Sequence, residues 1–277
     1  MSENTPTVDA LKEADRSLYS AMLYVPQSAR DAVATLHLFE RETARVRDLV
    51  SEPLPGEIRL QWWHDVIMGE RDGEAVAHPL AASLLAAIER YGLSRQSLAA
   101  LTQARVIDLY DDLFPTLHDF EAYCGETWST VFQASAQILG DGMPPGGDAA
   151  GHAGVAYGVS RLASRVAVHR ARGQVFVPDE VLRATGGDRD AWLTGEDATP
   201  RVRALSAWIE FAQDHEAKAR TAISALDALY RPAYMPLALA RPILRRMAKQ
   251  PETALAAPLP EYPIKSQLAL LWMVMRP

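Results

Sequence analysis

The stretch Ala34–Asp65, ATLHLFERETARVRDLVSEPLPGEIRLQWWHD, decides how the rest of the chain is read. Apolar residues open it at helical spacing, charge takes over from Glu40 to Asp48, Pro53, Pro55 and Gly56 interrupt it, and Trp62 and Trp63 resume it. With about 3.6 residues per turn, Arg41, Ala44, Arg45 and Asp48 fall on one helix face. That face is expected to look into the interior. After the Pro/Gly break, a short helix is expected over Glu57–Met68.

Outward from this stretch the pattern stays helical. Apolar residues recur every three or four positions from Asp9 to Leu23, and Ser28-x-x-Asp31 has the form of a capping box that would open the central helix. Further starts are signalled by Pro79, by Ser94 before Leu98-Ala99-Ala100-Leu101, by Asp119 before Phe120, and by Thr199-Pro200 before a long run to about Leu229. Pro232 and Pro242 should bracket or kink the penultimate helix, and a last helix is expected over Tyr262–Arg276. The one β-rich stretch, Gln174–Val177, stops at Pro178 and reads as an extended connector. No linker divides the 277 residues. A single all-α domain over 1–277 follows, with roughly ten helices and residues 1–8 loose.

Composition narrows the function. A net charge of −7 argues against a nucleic-acid partner, which needs a clustered basic surface to displace counterions from phosphates. No run approaches the roughly 18 apolar residues that span a bilayer. Residues 1–10 lack a basic stretch followed by an apolar one, so a cytoplasmic location is expected, with peripheral contact at the inner membrane as a further option. The apolar run Leu268–Met275 reads as a packed terminal helix, because it lacks a basic face of its own to meet anionic headgroups. A single cysteine, Cys124, leaves neither an intramolecular disulfide nor a multi-thiolate metal site, and reads as a small core residue.

Several motifs together resemble the squalene/phytoene synthase family of head-to-head prenyl transferases. Ser17-Leu18-Tyr19 with Val25-Pro26 and Arg30-Asp31-Ala32 is similar to the family's opening "SFYxAxxxLPxxxRxA", and Ala34–Arg41 to its "AxYAFCR". Gly154–Pro178 aligns without a gap to "GxAxQLTNILRDVxEDxxxGRxYLP". The resemblance implies an isoprenoid-synthase-like helical bundle around a central cavity. It also places Tyr123–Gly140 on the helix whose glycines line the prenyl channel, where Ser129 and Phe132 would narrow it.

The family binds prenyl diphosphates through two aspartate clusters and magnesium, a hard cation suited to carboxylate oxygens. Here the first cluster is degenerate, at Ala44, Arg45 and Asp48. The second has Arg161 at an asparagine, Ser164 at an arginine, and Arg165 and His169 at the two metal-binding aspartates. An arginine about 4 Å from a divalent cation costs roughly 8 kcal/mol at an effective dielectric near 20. No catalytic residue, metal or cofactor is therefore expected. The alternative is an active head-to-head prenyl transferase with magnesium held by Asp48, Glu42 and the acids of 108–112. Against it, Asp108-x-x-Asp111-Asp112 reads as surface capping at a helix end.

What the substitutions leave is a cationic wall, with Arg41, Arg45, Arg161, Arg165 and Arg172, beside Asp48, as ligand-binding candidates. Guanidinium groups hold phosphate bidentately without metal, which suits a prenyl diphosphate or an anionic lipid head. Equally open is an ion-pair network that joins these arginines to Glu40, Glu42, Asp48 and Glu52. The phrase Gly56–Trp63 and the loss of both motifs resemble a degenerate branch of the family associated with respiratory complex I assembly, which implies respiratory-complex subunits as partners.

Overall fold

The computed structural model describes residues 6–259 and 263–275. The N-terminal part comprises α1 (Pro6–Ala14), α2 (Arg16–Met22), α3 (Gln27–Ala44), α4 (Val46–Leu49), α5 (Pro53–Met68), α6 (Asp72–Ala75), α7 (Pro79–Tyr91) and α8 (Arg95–Ala104). A 3-10 turn, Arg105–Leu109, leads to α9 (Leu117–Cys124), which passes through a π turn, Gly125–Ser129, into α10 (Thr130–Leu139). There follow α11 (Asp148–Ser164), α12 (Val166–Ala171), α13 (Asp179–Ala184), α14 (Arg189–Leu193) and the long α15 (Thr199–Ala225). After a 3-10 turn at Arg231–Tyr234 come α16 (Leu237–Lys249), α17 (Pro251–Ala256) and α18 (Pro263–Met275). No strand occurs among the described residues, and Gln174–Phe176 is the extended connector the composition implied.

Among the described residues eighteen α-helices replace the expected ten, partly because the periodic segments break more often than their apolar pattern reveals. The run Asp9–Leu23 splits at Asp15, whose side chain caps α2 by accepting from the Leu18 N–H at 2.9 Å. The segment that starts at α1 is not loose over 6–8, because Val8 is buried and anchors α1 against α3; residues 1–5 lie outside the described residues. At α3 the proposed Ser28 box does not form. Pro26 precedes the helix, and Arg30 instead fastens the α2–α3 turn by donating to the carbonyls of Met22, Leu23 and Val25. The cap at α9 belongs to Thr116, which forms a capping box with Asp119. Ser94 and Pro79 stand where expected, as the N-cap of α8 and in the first turn of α7.

The core forms where α11 packs along α15 and α16, and α3 along α10, α1 and α7. Trp63 is buried against Phe39 at 5.2 Å, while Trp62 turns outward and donates to Glu74. Cys124 is fully buried, as its reading as a core residue required. Two glycines set close approaches. A Cβ at Gly158 of α11 would come within 2.3 Å of the Trp128 ring, and one at Gly56 of α5 within 2.6 Å of Leu109. The π turn supplies the first contact by rolling Trp128 onto α11, a common use of an extra residue in a helix.

Candidate functional site

α3 and α11 both lose regular geometry at an arginine that the resemblance aligns with a carboxylate. Arg45 separates α3 from α4, and Arg165 separates α11 from α12. The two breaks bring the degenerate motifs together around a cavity of about 260 Å³. Every predicted ligand-binding residue (Arg41, Arg45, Asp48, Arg161, Arg165 and Arg172) lines it, as do Ala44 and His169.

The arginines do not stand open. Asp48 accepts from Arg165 through both oxygens at 3.0 Å, and Arg172 closes on its Oδ1 as well. Burial alone would raise the Asp48 carboxyl, but the hydrogen bonds from Arg165 and Arg172 outweigh it and hold the group below the usual aspartate value. Arg41 donates to Asp15 at 2.8 Å, Arg161 reaches the same oxygen at 3.2 Å, and Arg45 pairs with Glu42 at 3.2 Å. The ion-pair network is thus formed, but with a membership corrected by the structure. Asp15, distant in sequence, takes the part expected of Glu40 and Glu52. Its N-capping position was legible; that its second oxygen would meet two arginines from α3 and α11 was not.

A second network lies beneath the first. Arg105, 1% exposed, donates to Glu40 at 2.5 Å and to the Tyr123 hydroxyl at 2.6 Å, and pairs with Asp108 at 3.3 Å. Tyr123 in turn donates to Asp108 at 2.8 Å. The surface reading of Asp108 is therefore wrong: it is 7% exposed, whereas Asp111 and Asp112 are exposed. A buried arginine needs more than one acid and a good hydrogen-bond geometry. The 3-10 turn supplies this by placing Arg105 and Asp108 three residues apart on one side. Trp128 stacks on the same guanidinium at 4.5 Å. Arg105, Trp128 and the role of Tyr123 escaped the sequence reading, which matched Glu40 to other arginines, and the Arg105-x-x-Asp108 spacing was the one local signal available.

His169 is pushed down to about 4, by burial first and then by Arg165, so it is neutral near pH 7. The donor set consequently does not suit magnesium: where two carboxylate clusters would be needed stand Ala44, Arg45, Arg165 and a neutral imidazole. The remaining Asp48 already has both oxygens engaged. Among the described residues no group of three or more His, Cys, Asp or Glu is placed to hold a metal ion. Seven arginines against four carboxylates line the cavity and leave it electropositive.

Behind this cavity aromatic side chains pack against one another. Phe132 lies 5.8 Å from Tyr234 in a near-parallel stack and 5.7 Å from Tyr157 edge-on, and the next hollow, beside Trp192 and Trp208, measures only about 10 Å³. Known pockets for small molecules run from about 300 Å³ upward. The arginine-lined cavity has room for a headgroup but little of a long tail.

The model of the squalene/phytoene synthase family matches residues 11–265. The chain belongs to that family. The assembly factor 6 of NADH dehydrogenase (ubiquinone) complex I from Homo sapiens is 27% identical over 186 residues, which are 67% of this chain and 56% of that protein. The Rattus norvegicus counterpart is 26% identical over the same length. Presqualene diphosphate synthase of Sinorhizobium fredii is 26% identical over 174 residues, 61% of each chain. The chain thus spans little more than half the length of these assembly factors. A crystal structure of a dehydrosqualene synthase superposes with a TM-score of 0.76 at 14% identity, covering 97% of this chain and 94% of that one. Squalene synthase from Alicyclobacillus acidocaldarius gives 0.70 at 17% identity, covering 88% and 94%. These superpositions establish the all-α isoprenoid-synthase fold.

Proposed function

We propose that this protein is a squalene/phytoene-synthase-like chain without magnesium-dependent prenyl transfer, which uses its arginine-lined cavity for a diphosphate or other anionic lipid head and serves in respiratory complex I assembly. The observation that carries the reading is the clasp Arg165–Asp48–Arg172. It spends the one carboxylate left from the first motif on two guanidiniums, one of which replaces a second-motif aspartate. Ionising an allylic diphosphate needs positive charge placed against the leaving group, ordinarily from metal held by carboxylates. Arginines paired to carboxylates can exchange partners for a phosphate but cannot assemble a multi-magnesium centre. The likeness to complex I assembly factors supports the assembly role.

The alternative, an active head-to-head prenyl transferase, is favoured by the likeness to presqualene diphosphate synthase. Two measurements separate the readings. With farnesyl diphosphate and magnesium, no diphosphate release above the blank is expected; turnover abolished by Asp48→Ala would establish the transferase. With farnesyl diphosphate in excess EDTA, saturable binding weakened by Arg161→Ala is expected, and no detectable binding removes the headgroup role. For assembly, respiratory-complex subunits should co-purify in mild detergent, and a deletion that leaves NADH oxidation intact ends that part of the reading.

A further inference from the structure

A larger hollow, about 680 Å³, lies between α15, α16 and α18 and shares no residue with the arginine-lined cavity. Six cations line it: Arg220, Arg241, Arg245, Arg246, Lys249 and Lys265. One acid, Glu216, lines the same hollow and comes within 4.0 Å of Arg241. In a chain of net charge −7 this is a strong local reversal of sign. Trp272 forms part of the wall, with the Arg220 and Arg241 guanidiniums at 4.4 and 4.0 Å from its ring. Such stacking holds both planar groups still while leaving N–H edges for a phosphate.

The rim is apolar. Leu268, which also lines the hollow, is 60% exposed, and Leu271 on the same helix is 49% exposed. Taken alone, α18 lacks the basic face that a membrane contact requires; α16 supplies it, since Arg245 and Lys249 stand exposed beside it. Apolar side chains next to clustered Lys and Arg, with a tryptophan between, are the elements of an interfacial lipid contact. A free phosphate would use the cations and leave the leucines without a role.

We propose that this groove docks the protein on a bilayer containing anionic phospholipid, with phosphate headgroups received among the six cations and Leu268 and Leu271 entered into the acyl boundary. The inference goes beyond the proposed function and holds whether or not the arginine-lined cavity binds a diphosphate.

The full chain is tested by co-sedimentation with vesicles of phosphatidylcholine alone and of phosphatidylcholine with one-third phosphatidylglycerol. Binding to the anionic vesicles, falling as salt rises, is expected. Each cation near an anionic surface contributes on the scale that makes the double variant Arg245→Ala/Lys249→Ala about 30-fold weaker. Leu268→Ser/Leu271→Ser should be about tenfold weaker. Arg183→Ala, exposed on α13 outside both cavities, should bind vesicles as the unaltered protein does, while farnesyl diphosphate binding in excess EDTA reads the other cavity separately. Equal binding to both vesicle types overturns the proposal, as does full retention of binding in both double variants with unchanged melting temperature. Inorganic pyrophosphate binding as tightly as the anionic vesicles would assign the groove to a soluble phosphate, and polyglutamate binding without vesicle binding would assign it to an acidic protein; either overturns the membrane role.

Discussion

Two arginine-rich regions of one molecule meet opposite electrostatic conditions. Around the cavity between α3, α4, α11 and α12, Arg41, Arg105, Arg161, Arg165 and Arg172 each have a carboxylate partner, so Asp15, Asp48, Glu40 and Asp108 convert a wall of cations into a bonded lattice. In the groove of α15, α16 and α18, six cations share the wall with one acid, Glu216, and two of them, Arg220 and Arg241, lean on Trp272. The difference teaches that counting arginines says little about anion binding; the count that matters is of carboxylates within reach. The first region is held by internal pairing, and a ligand there must displace a carboxylate. In the second, Arg220, Arg241 and Arg245 repel one another, and an anion that arrives among them relieves that repulsion.

The sharpest way to break this contrast is to remove a cation from each region. Arg105→Ala should destabilise the fold by about 3–5 kcal/mol in chemical denaturation, since Glu40 and Asp108 would be left buried and unpaired. Arg245→Ala, at an exposed position, should fall within about 0.5 kcal/mol of the unaltered protein. Equal losses at both positions would erase the distinction.

Acid provides the next test. His37 is 2% exposed, and burial lowers it to about 4 despite the opposing charge of Asp15. Its folded value lies below its unfolded one, so the stability it contributes is present above about pH 6.5 and is lost as pH falls toward 4. The full shift corresponds to about 3 kcal/mol. Urea melts at stepped pH should show the decline, and His37→Gln should reduce it and leave the part that His169 contributes over the same window.

A smaller effect is expected where the interior is filled. Gly158→Ala drives a methyl into the Trp128 ring and should cost about 1–3 kcal/mol in thermal or urea unfolding. Pairing it with Trp128→Leu should recover part of that loss if the clash is the cause.

Least costly to the fold is the clasp itself. Asp48→Asn should change stability near pH 7 by under about 1 kcal/mol, because the pair is partly solvated, yet it frees Arg165 and Arg172. Affinity for inorganic pyrophosphate, measured by calorimetry, should rise about tenfold, a change of about 1.4 kcal/mol. The Asp48 carboxyl is lowered, so its contribution is present above the ordinary aspartate value near 3.9 and is lost as pH falls through its own lower value. The Asn variant should lack that acid limb.

Helix class and the two rewritten motifs could be read in the chain, because periodicity and residue identity at aligned positions are local properties. The break was misplaced: α5 begins at Pro53 and runs through Pro55 and Gly56, and the helix stops at Arg45 and over 50–52 instead. The motifs also placed Arg41, Arg45, Asp48, Arg161, Arg165 and Arg172 around one cavity. The partners of those arginines were not local. Asp15 comes from 26 residues before Arg41, Arg105 meets Glu40 across 65 positions, and Arg165 and Arg172 reach back more than a hundred residues to Asp48. The reading of Asp108 failed for the same reason, since burial beneath Tyr123 is set by packing and not by its neighbours in the chain. Likewise α18 by itself lacks a basic face, and only its packing against α16 supplies one. Sequence specified which charges exist and which helices carry them. Tertiary structure decided which of them cancel, because Coulomb energy depends on the distance and solvent between two groups, and chain separation fixes neither.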